Sequence, residues 1–153
     1  MWNFVGADLF GFLINPLIAL YYMQVLNTTA NHEHAALFRA YSMLSLGLIL
    51  YCMRGLTDVS RWNHNLLRVF FWSLNIGLAM ITFLSLPPQG IWQTYASMKY
   101  SYGYVRSAEF LRSSIMENLV WMRVPGDVVF GVGGGAFAIF MYQAVVGQRK
   151  NDG

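Results

Sequence analysis

Two imidazoles one residue apart carry the first chemical signal in this chain. His32 and His34 stand in the stretch NTTANHEHAALFRAYSM, at the mouth of an apolar run. At about 3.6 residues per turn, helical positions two apart are rotated by roughly 200°. The two rings would therefore leave opposite faces at nearly the same height. Such a pair is poorly placed to chelate one metal and well placed to serve two sites, one on each side of its helix. Neutral imidazole is a common axial ligand of haem iron. The plain alternative is a pair of solvated or hydrogen-bonded residues at a membrane interface, and His-x-His alone does not decide between them. The third histidine, His64, falls in a basic loop and reads as a surface residue. Cys52 is the only cysteine, which excludes an intrachain disulfide and a cysteine metal cage. Its apolar surroundings suggest a small buried hydrophobe.

The elements that must hold these histidines are those of a membrane protein. Hydrophobic residues make up 56% of the 153 and charged residues 11%, against roughly a quarter charged in soluble domains. The five Trp and nine Tyr are rings that favour membrane–water interfaces. The net charge of +3 comes from basic residues scattered among apolar runs rather than gathered in a stripe, which argues against nucleic acid as a partner. The N-terminus lacks the basic region of a signal peptide.

A hydrocarbon core takes about 20 mostly apolar residues per helix. Stretches of that kind cover about 4–25, 34–53, 66–86 and 127–146, the third ending at Pro87-Pro88. The expected fold is all-α: a polytopic membrane protein with four transmembrane helices forming a single membrane segment over 1–153. NTTANHE reads as a short polar connection. The segment 89–118 reads as an interfacial, partly helical cap, because charges recur in it every few residues. The loop with Arg54 and Arg61 and the tail with Arg149 and Lys150 fall on one side, which places both termini in the cytoplasm and His-x-His near the outer surface. Gly131 and Gly135 form a small-xxx-small pair suited to close helix packing. Tyr21, Tyr22, Trp2 and Trp92 read as interface anchors, and the methionines as packing.

Several separated motifs, in order, resemble a known family. WNFVGADLFGFLINPLIALYYMQVLNTTANHEHAALFRAYSML, LLRVFFWSLNIGLAMITFLSLPPQGIWQTYAS, YVRSAEFL and WMRVPGDVVFGVG are similar to the late helices of the large catalytic subunit of bacterial nitric oxide reductases. The similarity is greater to the single-chain, quinol-dependent form, within the haem–copper oxidase superfamily. The resemblance implies that His32 binds the high-spin haem iron of the binuclear centre and His34 the low-spin haem, both haem b and both near the outer face. It implies reduction of NO to N2O, in which two NO, two electrons and two protons give N2O and water, with quinol as the electron source. Arg123 and Asp127 would lie near haem propionates and a quinol head group. The alternative is a capping Asp127 and an anchoring Arg123.

The family's non-haem iron takes three histidines and a glutamate from earlier helices, and its low-spin haem a second histidine. The resemblance therefore implies a C-terminal piece of a larger enzyme, inactive without the remaining transmembrane helices. Arg39 stands where the family has a small residue, and Asp8 where a glycine is expected. Two further readings stay open: a catalytically inactive membrane scaffold, and a small haem-binding electron carrier.

Overall fold

The computed structural model describes residues 8–9, 11–24 and 26–149, with the side chains of Asn31, Ala35, Phe38, Arg39 and residues 147–149 also outside the description. Trp2 and Lys150 therefore lie outside the described residues, as do the side chains of Arg39 and Arg149. Every regular element among those described is helical. Residues 11–14 are helical, and Asn15-Pro16 interrupts the path before α1 (Leu17–Met23). Next come α2 (Asn27–Glu33), a π-helical stretch His34–Ser42 and α3 (Met43–Leu56). NTTANHE is thus helix and not a loop. Its polar residues favour turns and caps, but a remote side chain caps Asn27, which local sequence does not announce.

The longest element continues through the proline pair instead of ending there. α4 (His64–Met80), a π-helical turn Ile81–Ser85 and α5 (Leu86–Lys99) form one path of 36 residues. Proline in a helix interior removes a backbone donor and collides with the preceding turn. Here the wider turn comes first: the Leu86 N–H bonds to Ile81 O, five residues back. The prolines then occupy the first turn of α5, where an N–H has no intrahelical partner to lose. At about 1.5 Å per residue such a path is longer than a 30 Å hydrocarbon core.

α6 (Ala108–Leu111), α7 (Ser114–Trp121) and α8 (Val124–Arg149) complete the chain. By length and composition, His64–Lys99 and Ser114–Val146 can cross a membrane, and Ala40–Leu56 is a shorter apolar helix. α4 and α8 pack along their lengths. Phe70 stacks on Phe137 with ring centroids 4.6 Å apart, and Trp62 meets Phe140 edge-on at 5.3 Å. Phe140 is 1% exposed.

Close approach between these helices depends on glycine. A Cβ on Gly77 would lie 2.6 Å from Phe130 N and 2.9 Å from Gly126 O, and one on Gly133 would lie 2.9 Å from Leu74 Cδ2. Gly131 and Gly135, the small-xxx-small pair suited to close packing, have nothing within 4 Å. The contacting face instead follows Gly126, Gly133 and Ala136. Cys52 is exposed rather than buried.

A second core gathers at the other end of the long path. Leu26, Ala96, Val105, Phe110 and Met116 are buried together, with Trp92 and Tyr102 against them. Over 89–118, expected to be a partly helical cap, the chain leaves α5, makes a 3-10 turn Tyr104–Arg106 with Val105 fully buried, and returns through α6 to α7.

Candidate functional site

The histidine-bearing turn is fixed from outside its own helix. Asn27 opens α2, where a backbone N–H lacks an intrahelical acceptor. Gln93 Oε1 accepts that N–H at 2.9 Å, and the Asn27 side chain donates to Gln89 Oε1 at 2.6 Å. Beside this pair, a Cβ on Gly90 would lie 2.7 Å from Thr28 N, so α2 and α5 touch backbone to backbone. The Tyr102 hydroxyl donates to Gln24 O, Gln93 holds Asn27, and Gly90 meets Thr28. Numbers fall along one helix as they rise along the other, so the two are antiparallel.

His32 and His34 meet different surroundings. The Cε1 edge of His32 faces Gly11, where a Cβ would lie 2.8 Å from Cε1 and 3.4 Å from each ring nitrogen. The missing side chain at Gly11 makes room for the ring. His34 turns back along its own helix, its Nδ1 2.8 Å from Ala30 O. With Nδ1 as donor, Nε2 keeps the lone pair, the arrangement typical of a metal-ligating histidine. His34 also begins the nine-residue π-helical stretch, a geometry frequent at functional sites. Among the described residues no group of three or more His, Cys, Asp or Glu could hold a metal ion. The two rings thus face different surroundings, with no third metal-ligating side chain grouped with them among the described residues.

Arg123 and Asp127 are brought together with each other. Arg123 Nε donates to Asp127 Oδ1 at 3.2 Å and lies 3.2 Å from Oδ2, with the side chains 41% and 48% exposed. An exposed pair of this kind stabilises a helix end by at most about 1 kcal/mol. Its height is informative. Ser85 bonds to Leu119 O, and Gly126 packs on Ile81, so Arg123 is level with the π-helical turn between those contacts. His64 is exposed at the start of α4, as a surface residue should be, and Asp8 is also exposed.

Sequence reasoning missed Gly11, Gln89 and Gln93. The glutamines left a signal: Ser85, Gln89, Gln93 and Ser97 recur every four residues in an apolar helix. Gly11 left none.

Comparison with known proteins gives concordant results. The family described as Cytochrome C and Quinol oxidase polypeptide I matches residues 1–129. A nitric oxide reductase chain of Stutzerimonas stutzeri is 29% identical over 135 residues, which cover 85% of this chain and 28% of that protein. The chain thus spans under a third of that relative's length.

Proposed function

The chain belongs to the cytochrome c and quinol oxidase polypeptide I family, and from that premise we propose that it is part of a nitric oxide reductase that reduces NO to N2O with electrons from quinol. The family is one of haem–copper oxidase-type integral membrane subunits. The observation that carries the reading is the His34 ring held by Ala30 O through Nδ1, at 2.8 Å. That bond presents Nε2 as the ligand nitrogen and raises its basicity.

His34 would hold the low-spin haem, and His32, seated against Gly11, the high-spin haem. When bound, haem supplies the redox chemistry. The chain's own residues orient the ligands, keep their surroundings apolar and handle protons. Arg123 supplies a fixed positive charge for a carboxylate such as a propionate. Asp127, paired with Arg123, accepts a proton from the quinol head group. The second low-spin ligand and the non-haem iron site come from the remaining transmembrane helices. In the bacterial inner membrane the chain contributes four spans with both termini cytoplasmic and the histidines near the outer surface.

NO consumption by membranes holding this chain together with the remaining helices of the catalytic subunit, supplied with a reduced quinol, tests the proposal. Replacing His32 with Ala is expected to abolish NO loss while the low-spin haem spectrum persists. Unchanged NO loss in that variant would refute the assignment.

A further inference from the structure

One face of the long helix is polar where packing within a membrane requires only apolar contact. Thr82, Ser85, Gln89, Gln93 and Ser97 are all buried, between 0% and 5% exposed. Buried polar groups are costly unless hydrogen-bonded, so a row of them calls for partners. Their plain use is interhelical adhesion, typically about 0.6 kcal/mol per bond, and that would not require a specific partner. Here the partners are specific. Gln89 Nε2 donates to Ser85 Oγ at 2.7 Å and to Leu119 O at 3.1 Å, while Ser85 Oγ donates to the same carbonyl at 3.1 Å. Leu119 O lies in the last turn of α7, where carbonyls lack helical donors. With its amide nitrogen committed there, Gln89 Oε1 can only face the other way, toward Asn27.

We infer that Gln89 and Gln93 are positioning residues for the His34 ligand, joining α7 to the histidine-bearing turn through one buried amide chain. The inference rests on the haem-ligand reading of His34. Gln93 and Gln89 hold Asn27; the turn that Asn27 opens contains Ala30, and Ala30 O holds His34 Nδ1. Ala30 N–H in turn bonds to the carbonyl of buried Leu26, so the residue whose carbonyl meets the ring is itself anchored at its N–H. Loosening the amide chain lets that carbonyl drift, weakens the Nδ1–H···O bond and lowers the basicity of Nε2. A less basic axial ligand stabilises oxidised haem less, so the reduction potential rises.

The test uses membranes holding the protein with its haem, comparing wild type with Gln89→Met, Gln93→Met and the milder Asn27→Ala, which keeps the backbone bond to Gln93. Thr94→Val serves as control, because the Thr94 hydroxyl bonds only to Gly90 O within its own helix. The low-spin bands are expected to persist with an upward-shifted midpoint potential in the glutamine variants, a smaller shift of the same sign in Asn27→Ala, and none in the control. Faster amide exchange over residues 27–34 should accompany the shift. Faster exchange with an unmoved potential would mean that the amides only stabilise the fold, and would overturn the inference. Unchanged exchange and potential would do the same. Absence of low-spin bands in the wild type would instead defeat the haem-ligand reading, and the inference with it.

Discussion

Apolar packing holds both ends of the long helix, and the α5 end adds a buried amide chain to it. At the α4 end, contact with α8 is apolar and close: Phe70 on Phe137, Trp62 against Phe140, and Gly77 against the Phe130 backbone. At the α5 end, contact with α2 and α7 runs through Asn27, Gln89, Gln93 and Ser85. Shape complementarity between apolar helices tolerates substitutions of like volume. A buried amide chain does not, since every unmatched donor or acceptor carries a desolvation penalty of about 1–3 kcal/mol. The histidines sit beside the part that fixes direction as well as distance. A ligand nitrogen has to be aimed, and packing alone only has to be filled.

The contrast can be broken at several points. The largest expected effect is Phe140→Ala, a fully buried ring whose loss costs about 3–5 kcal/mol, read as a lowered unfolding midpoint in detergent. Gly77→Ala follows, because its Cβ would meet backbone at 2.6 Å and the helices must part, at about 1–3 kcal/mol. Gly131→Ala, with nothing within 4 Å, is expected to be neutral or to stabilise α8 by about 0.5–1 kcal/mol in the same measurement. Equal losses at Gly77 and Gly131 would contradict the assigned packing face.

The smallest effect lies outside the membrane. Ser60 Oγ and N–H both donate to Asp58 Oδ1, with Arg61 nearby, and hold the Asp58 carboxyl below its usual range. A depressed carboxylate stabilises the fold above its unfolded pKa, and that contribution disappears as pH falls through the lower folded value. The 3-10 turn Val59–Arg61 should therefore persist to below the ordinary aspartate range and loosen there. In Asp58→Ala it should be loose at every pH, as read by exchange at the Ser60 amide.

How much could be read in advance follows the same division. Apolar runs announced the membrane class and helices because hydropathy is local and additive. The family was legible in ordered motifs such as NHEHAALF and WMRVPGD. The helix start at Asn27 was not, because its cap comes from Gln93, 66 positions away. Pro87-Pro88 pointed to a helix end because a proline shows its missing donor but not the π-helical turn that accommodates it. The run GVGGG offers several small faces, and only the neighbour's position selects Gly133 over Gly131 and Gly135. The spacing of His32 and His34 showed that they would part; Gly11 and Ala30 show where each is directed.

The most direct test of the account is the reduced-minus-oxidised spectrum of membranes containing the protein, with and without His34→Ala. Sharp low-spin haem bands in the wild type that disappear in the variant are the predicted result. Bands that survive the loss of His34 would contradict the ligand assignment.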